Sequence, residues 1–329
     1  MNRIGWVSLT RVIAVTFIVM LHSASFYFNN FDIGVFGWEV GNLGNAVSRW
    51  GVPVFIMLSG ALLLNNNNSN DYASFYKRRL SKILIPLIFW SIFYSAIWLF
   101  QNKGDATIYE ALINIISGHP FYHMWFMYMI LGLYAFTPLF RKIASVIEDK
   151  EATYLITTVF MLSAVWISNK YITDAHDPLW FFWFIQYIPY YFAGYYISKS
   201  SRNIKPTLLL IVTIITVAAT FIATHYASVQ FGKTQYFYEP LSPFIIIMSL
   251  CVFCLFKRWN SGFSDSLANL SLGVYLIHPF FLLAFFKVFK GFSMSWPLMG
   301  FICAWIICTV LSFASTFIIK KVKYLNAIV

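Results

Sequence analysis

The sequence predicts an all-α protein, a bundle of about ten helices that spans a membrane. Of its 329 residues, 60% are hydrophobic and only 11% are charged, whereas soluble domains carry about 25% charged residues. Apolar runs of about 20 residues, the length that crosses a bilayer as a helix, recur along the whole chain. We therefore expect a single transmembrane domain, residues 1–329, surrounded by membrane lipids.

Hydropathy and the breaks between apolar runs give the order of the spans. The connections are short and polar, such as NNNNSND after the second run and KSSRNIKP after the sixth. Residues 105–117 fit a short interfacial helix. The expected spans are residues 6–28, 45–64, 81–100, 122–140, 152–169, 180–198, 206–224, 241–256, 267–286 and 296–319.

The basic residues predict the orientation of the bundle. Sixteen Lys and Arg, among them Arg3, fall in the segments on the side of the N-terminus, and six fall on the opposite side. Because positive residues accumulate on the cytoplasmic side, both termini are expected there. The same distribution accounts for the net charge of +11. It argues against nucleic-acid binding, since the charges are spread over six segments.

The N-terminus and the cysteines are typical of membrane helices. Arg3 and the apolar run after it resemble a signal peptide, but Arg11 interrupts the run and no small-x-small cleavage site follows. We expect this segment to be retained as the first span. The four cysteines lie in apolar runs, and CVFC has no second ligand pair nearby, so no metal site is expected.

The first span, RVIAVTFIVMLH, begins with Arg11 and ends with His22. Eleven helical residues bring the two side chains to one face, about 16 Å apart. Arg11 is close enough to the cytoplasmic end to snorkel, and a bundle histidine is the simpler interpretation of His22. Ionisable groups inside a membrane are nevertheless costly and typically functional, so both are candidates.

Two further segments carry cations at span ends. RWGVPVFIMLSG places Arg49 at the outer end of the second span, either as an interfacial anchor or as a substrate-binding group. YKRRLSKILIP places Arg78, Arg79 and Lys82 at the cytoplasmic end of the third span. These three follow the positive-inside rule, but they would equally bind phosphates.

The remaining candidates are histidines. HPFYHMWFM brings His119, His123 and Trp125 to the outer end of the fourth span, where an aromatic belt explains the rings but not the histidines. SLGVYLIHPFF buries His278 before Pro279, for which a kinked helix with a local hydrogen bond is the simplest account.

Acidic residues bear on two questions. We expect no buried Asp or Glu in any span, which argues against a cation-coupled carrier. It also leaves a catalytic histidine without a carboxylate on its own helix to orient it.

Five of these segments, in order from residue 11 to residue 281, resemble the membrane-bound acyltransferase-3 family. They are R-x10-H, VPVFIMLSG, KRRLSKILIP, YHMWFMYMILGLYAFTPL and SLGVYLIHPFF. Each is weakly specific alone, and together they cover nearly the whole chain. Within the family, the chain is similar to the inner-membrane O-acetyltransferases of bacterial surface polysaccharides, such as enterobacterial common antigen.

The resemblance implies transfer of an acetyl group from cytoplasmic acetyl-CoA to a hydroxyl of a polysaccharide or lipid-linked glycan, in a bacterial inner membrane. It implies that His22 is the catalytic histidine, with Arg11 beside the donor path, and that Arg79 and Lys82 bind phosphate. Two departures stand out. Lys82 replaces an arginine and lacks its bidentate fork, and Ser8 stands where an acidic partner of Arg11 is often found.

These implications combine into a hypothesis for the site. His22 acts as general base or as a transient acetyl carrier. Acetyl-CoA is the co-substrate, and no metal is required. The residues expected to bind the donor are Arg78, Arg79 and Lys82, at its phosphates, and Arg11, along its pantetheine arm. Arg11 is also expected to take part in catalysis with His22. The residues expected to hold the acceptor are Arg49, His123, Trp125 and His278.

Two other classes of function remain open at this point. A secondary transporter or flippase for a glycan or small molecule would suit ten spans, but it should show inverted repeats or paired broken helices. A membrane haem protein would use His22 and His278 as axial ligands, which an absorbance spectrum would reveal. The oligomeric state is not predicted.

Overall fold

A computed structural model describes residues 5–65, 72–173, 179–259 and 265–329. Regular secondary structure within these ranges is helical throughout, with no strand. Arg3 and nearly all of the NNNNSND connection lie outside the described residues.

The α-helices are α1 Gly5–Asn30, α2 Phe36–Ser48, α3 Gly51–Leu63, α4 Tyr72–Gln101, α5 Ile108–Ile116, α6 Trp125–Val146, α7 Asp149–Thr173, α8 Trp183–Lys199, α9 Pro206–Phe231, α10 Pro243–Lys257, α11 Asp265–Ala268, α12 Ser271–Val288, α13 Lys290–Ser295 and α14 Pro297–Lys321. Three 3-10 turns are present at Trp180–Phe182, Tyr236–Tyr238 and Asn326–Ile328.

Nine segments of the described chain are long and apolar enough to cross a membrane. This confirms the prediction of an all-α protein with many membrane-spanning helices. The expected span that is missing from these nine is the sixth, residues 180–198, which corresponds to α8, whose 17 residues are at the lower limit of a spanning helix. The cytoplasmic location of the termini stays a prediction.

The second span starts earlier than predicted. α2 and α3 follow one another and together form a span from Phe36 to Leu63, whereas the predicted start was residue 45. Arg49 therefore lies near the middle of this span, and its expected position at the outer end is wrong. The polar residues of α2 made this segment resemble a connection between spans in the sequence. In the structure, neighbouring helices satisfy its polar groups. For example, Asn42 donates to the carbonyl oxygen of Phe221 at 3.1 Å.

The longer span also contains an acidic residue. Glu39, in the first turn of α2, pairs with Nδ1 of His225 on α9 at 2.7 Å, and the two side chains are 24% and 34% exposed. A half-buried carboxylate is therefore present in this span, although among the described residues no Asp or Glu in a span is fully buried.

The centre of the bundle depends on a close crossing of α3 and α8. A Cβ atom on Gly60 would lie 1.8 Å from the carbonyl oxygen of Tyr191, and one on Gly194 would lie 2.0 Å from that of Met57. Only glycine permits backbones to approach this closely, as is common between helices in membranes. The hydroxyl groups of Thr137 and Tyr191, 2.8 Å apart, connect α6 to this crossing.

Three contacts place α1 and α12 side by side in the bundle interior. Trp305 of α14 donates its indole N–H to the carbonyl oxygen of Thr16 on α1 at 2.9 Å. Tyr94 of α4 donates to the carbonyl oxygen of Leu276 on α12 at 2.6 Å. α1 itself packs against α12 and α14. As a result, the face of α1 that carries His22 packs against α12.

Candidate active site

Three histidines predicted separately from the sequence lie together. The rings of His22 on α1 and His278 on α12 have centroids 5.2 Å apart, with planes 28° from parallel. The ring of His123, two residues before α6, is 5.5 Å from that of His278. The ring of Tyr122 is 4.8 Å from that of His22 and 5.5 Å from that of His123. The site therefore joins α1, α12 and the segment that precedes α6.

The environment of His278 determines its tautomer. The side chain is 0% exposed, and its Nδ1 is 2.7 Å from the carbonyl oxygen of Tyr275 and 3.2 Å from that of Val274. Because a carbonyl only accepts, Nδ1 must carry the hydrogen, and in the neutral ring Nε2 is then a bare acceptor. This Nε2 is buried and has no hydrogen-bond partner among the described residues.

Pro279 explains why His278 adopts this arrangement. In a regular helix the N–H of residue 279 would donate to the carbonyl of residue 275, but proline has no N–H. The carbonyl of Tyr275 is therefore available, and His278 donates to it. The local hydrogen bond expected from the sequence is thus present.

His123 is the third member of the histidine cluster and is buried. It is 1% exposed and packs against the rings of Tyr94 at 5.0 Å and Tyr275 at 5.3 Å. The Tyr275 hydroxyl donates to the backbone carbonyl of His123. A cavity adjoins the cluster, and His22 is the member of the three that lines it, whereas His123 and His278 do not.

A cavity of 1160 Å³ lies beside His22, at the end of the bundle where α1 ends and α6 begins. His22 and two predicted acceptor residues, Arg49 and Trp125, line it. His119, from the same predicted segment as Trp125, also lines it. Arg11 does not.

The rest of the cavity wall combines amides with aromatic rings. Amide groups donate to and accept from hydroxyls, and aromatic faces cover the apolar faces of sugar rings. Sequence analysis did not identify the amides, because Asn and Gln near helix ends also suit ordinary polar connections. The amides are Asn29, Asn30, Asn45, Gln101, Gln186 and Gln235, and the rings are Tyr122, Trp125, Trp183, Tyr187 and Tyr238.

Arg49 reaches the cavity from the junction of α2 and α3. It donates from Nη2 to the Asn45 side-chain oxygen at 2.6 Å, and its guanidinium lies over the ring of Tyr238, 4.5 Å from the centroid. Its Nε is buried without a hydrogen-bond partner among the described residues.

A cationic cluster occupies the opposite end of the bundle. Arg11 on α1 is within electrostatic reach of Arg79 on α4, and Arg79 is within reach of Arg141 on α6. Arg141 donates from Nε to the carbonyl oxygen of Leu63 at 2.7 Å. In the sequence, Arg141 is one of the sixteen basic residues that follow the positive-inside rule, and nothing else marks it.

The predicted phosphate-binding residues divide into two groups. Arg79 is half-buried and turned toward the bundle, whereas Arg78 and Lys82 are exposed on α4. Lys320 of α14 is within electrostatic reach of Lys82. Arg79 thus belongs to the cluster around Arg11, and the other two lie at its rim.

A carboxylate reaches Arg11 from another part of the chain. Asp265, at the start of α11, accepts a hydrogen bond from the hydroxyl of Ser8 and is within electrostatic reach of Arg11. A carboxylate near Arg11 is therefore present, on α11 and not at position 8.

The fold and the site define a multi-pass membrane protein with buried histidines between a cationic cluster and a polar cavity. A family model described as an acyltransferase domain, acyltransferase-3, matches residues 4–321, and the chain belongs to this family. Family membership supports a membrane acyltransferase that uses an acyl donor and an acceptor.

No curated protein and no solved structure matches the chain. Among the described residues, no group of three or more His, Cys, Asp or Glu side chains is placed to hold a metal ion.

Proposed function

We propose that the protein is an O-acetyltransferase of a bacterial inner membrane, which moves an acetyl group from cytoplasmic acetyl-CoA to a hydroxyl of a polysaccharide or lipid-linked glycan. The observation that carries the proposal is the placement of His22. It lines a cavity suited to a sugar, on the same helix as Arg11 of the cationic cluster.

The cationic cluster would bind the phosphates of the donor. Guanidinium groups hold phosphate oxygens by charge-assisted, bidentate hydrogen bonds. Arg11, Arg79 and Arg141 come from three helices, and Arg78 and Lys82 at the rim would meet the donor first. The flexible arm of the donor then extends along α1 and brings the thioester to His22.

At the thioester, neutral His22 would act as general base. It takes the proton of the acceptor hydroxyl, whose oxygen attacks the thioester carbon, and the C–S bond breaks to release the CoA thiolate, which is then protonated. In the second route, His22 attacks the thioester first and the acetyl-histidine is then attacked by the hydroxyl. Both routes need a neutral ring with one bare nitrogen.

His278 would be a positioning residue for that ring. Its bare Nε2 accepts the N–H of His22 after a small rotation of the His22 ring or through one water, since catalytic hydrogen bonds often tighten only with substrate bound. The other nitrogen of His22 is then the base and faces the cavity. This arrangement supplies the orientation that a carboxylate provides in other sites.

The test is acetyl transfer from radiolabelled acetyl-CoA by the purified protein in lipid. His22→Ala should abolish both transfer and hydrolysis of acetyl-CoA while the variant keeps its thermal unfolding transition. His225→Gln, which changes a half-buried histidine away from the site, is the matched control and should retain transfer. Wild-type transfer by His22→Ala would refute the assignment.

A further inference from the structure

The orientation of Arg49 in the cavity wall depends on two neighbouring side chains. Its guanidinium donates from Nη2 to the side-chain oxygen of Asn45 at 2.6 Å and lies over the ring of Tyr238, 4.5 Å from the centroid. Glu239 and Tyr171 are also within electrostatic reach of Arg49. Coulomb attraction depends on distance and not on the direction of the guanidinium plane. The hydrogen bond and the ring face are therefore the contacts that orient the plane.

Tyr238 is itself held by Asn42, a residue of α2. The Tyr238 hydroxyl donates to the side-chain oxygen of Asn42. The amide nitrogen of Asn42 donates to the carbonyl oxygen of Phe221 on α9 at 3.1 Å, and Oε2 of Glu39 lies 3.5 Å from the same nitrogen. Because a carbonyl only accepts, the nitrogen must face Phe221, and the amide oxygen is then the atom that faces Tyr238.

Asn42 acts from outside the cavity. It is fully buried and is not among the described residues that line the cavity, whereas Asn45 and Tyr238 are. Asn42 and Asn45 are three residues apart, so they lie on the same face of α2. The amide nitrogen of Asn45 donates to the carbonyl oxygen of Gly41 at 2.9 Å, which turns its oxygen toward Arg49. Asn45 thus contacts the guanidinium directly, and Asn42 reaches it through Tyr238.

We propose that Asn42 is a positioning residue, which orients Arg49 for the acceptor through the hydroxyl and the ring of Tyr238. Arg49 lines the cavity together with His22 and is within electrostatic reach of it. A displaced guanidinium would therefore change how the acceptor meets His22. This inference rests on the proposed acetyl transfer with Arg49 as an acceptor-binding residue, and it adds a side chain that does not touch the substrate.

A purely structural role is the alternative for Asn42. Its bond to Phe221 joins α2 to α9, and loss of that bond alone would lower stability without any action on Arg49. Tyr238→Phe separates the two roles, because it removes one hydroxyl, keeps the ring and leaves the bond between Asn42 and α9 intact.

The assay uses purified protein in lipid, radiolabelled acetyl-CoA and a glycan extract of membranes from the source cells. The extract is titrated by its total sugar content, which gives an apparent acceptor KM for an acceptor that is not yet identified. Since a net hydrogen bond of about 1 kcal/mol corresponds to a factor of about five, we expect Tyr238→Phe to raise this KM about fivefold and to leave kcat near that of the wild type. Tyr236→Phe is the matched control. It removes a hydroxyl from the same 3-10 turn, but that hydroxyl contacts Ser168 and should leave the KM unchanged.

Double variants show whether the effect passes through one chain of contacts. Asn42→Leu should raise the KM at least as much as Tyr238→Phe, and the two together should be no worse than Asn42→Leu alone, because both break the same connection. Arg49→Gln should raise the KM most. Addition of Tyr238→Phe to Arg49→Gln should have no further effect, since the guanidinium to be oriented is absent.

The outcomes distinguish this inference from the proposed function. An unchanged KM in Tyr238→Phe, or a fivefold effect that persists in the Arg49→Gln background, would overturn the role of Asn42. If Glu239→Gln raised the KM and Tyr238→Phe did not, the charge of Glu239 would hold Arg49, and the inference would be wrong. Absence of any labelled product with the wild type would instead refute the acetyl transfer itself.

Discussion

His278 lies against His22 with the ring centroids 5.2 Å apart, and its Nδ1 is committed to the carbonyl of Tyr275 at 2.7 Å. The first relationship places His278 beside the proposed base. The second leaves Nε2 as the only nitrogen with which it can accept a hydrogen. The hydrogen bond proposed between the two rings can therefore run in one direction only, with His22 as the donor and His278 as the acceptor.

Two amide substitutions separate the nitrogens of His278. His278→Asn keeps an N–H near the position of Nδ1 but loses the acceptor at Nε2. His278→Gln can place its amide oxygen near Nε2. We expect kcat to fall roughly tenfold or more in His278→Asn, less than the 10²–10⁴-fold that a general base itself contributes.

The KM for acetyl-CoA should be unchanged in both variants, and His278→Gln should recover part of kcat. Steady-state kinetics with purified protein measures all three values. Equal losses in the Asn and Gln variants, together with a lower unfolding temperature in each, would indicate that His278 only fills space.

Pro279 offers an independent test of the same geometry. Pro279→Ala restores an N–H that competes with His278 for the carbonyl of Tyr275, so the Nδ1–H bond and the tautomer are no longer enforced. We expect unchanged or higher thermal stability, because a regular helical hydrogen bond is added, together with reduced kcat. Pro297→Ala at the first turn of α14, where no carbonyl is released, should leave kcat unchanged. Full activity of Pro279→Ala would show that the tautomer does not depend on the proline.

The individual histidines could be predicted from the sequence, but their meeting could not. An ionisable side chain in an apolar run is visible in one segment, and His22, His123 and His278 were each identified in this way. Their proximity depends on the packing of α1 against α12 and on the segment before α6, which are far apart in the chain. No local pattern encodes that contact.

Charged residues near span ends were interpreted less well. Arg141 satisfies the positive-inside rule whether or not it binds anything, so hydropathy could not separate it from other cytoplasmic cations. Arg49 was placed at the wrong depth because α2 contains Glu39, Asn42 and Asn45, whose polar groups are satisfied by other helices and by Arg49 itself.

The arginines at the cationic end of the bundle should contribute unequally to acetyl-CoA binding. Arg79→Gln and Arg141→Gln should each raise the KM for acetyl-CoA about tenfold or more, since a hydrogen bond to a charged group contributes about 1.5–3 kcal/mol. Arg78→Gln, at the exposed rim, should have a smaller effect because exposed ion pairs contribute little.

Titration of acetyl-CoA at saturating acceptor measures these constants, and the acceptor KM measured in parallel is the control. If the Arg79 and Arg141 variants changed only the acceptor KM, the two ends of the bundle would have the opposite roles to those proposed.

The contact between Ser8 and Asp265 allows a test of whether Asp265 is the counter-ion of Arg11, in which the two side chains are exchanged. Asp265 is the carboxylate near Arg11 and also accepts from Ser8, so Asp265→Asn should leave Arg11 less well held and raise the KM for acetyl-CoA several-fold. Moving the carboxylate to α1, in the double variant Ser8→Asp with Asp265→Ser, keeps the charge beside Arg11 one helical turn away.

That double variant should therefore recover most of the acetyl-CoA affinity that Asp265→Asn loses, as measured by the same titration. Ser8→Ala, which removes the hydroxyl but no charge, separates the hydrogen bond from the carboxylate and should have the smallest effect. A double variant as impaired as Asp265→Asn would mean that Asp265 acts through its position on α11 and not as the counter-ion of Arg11.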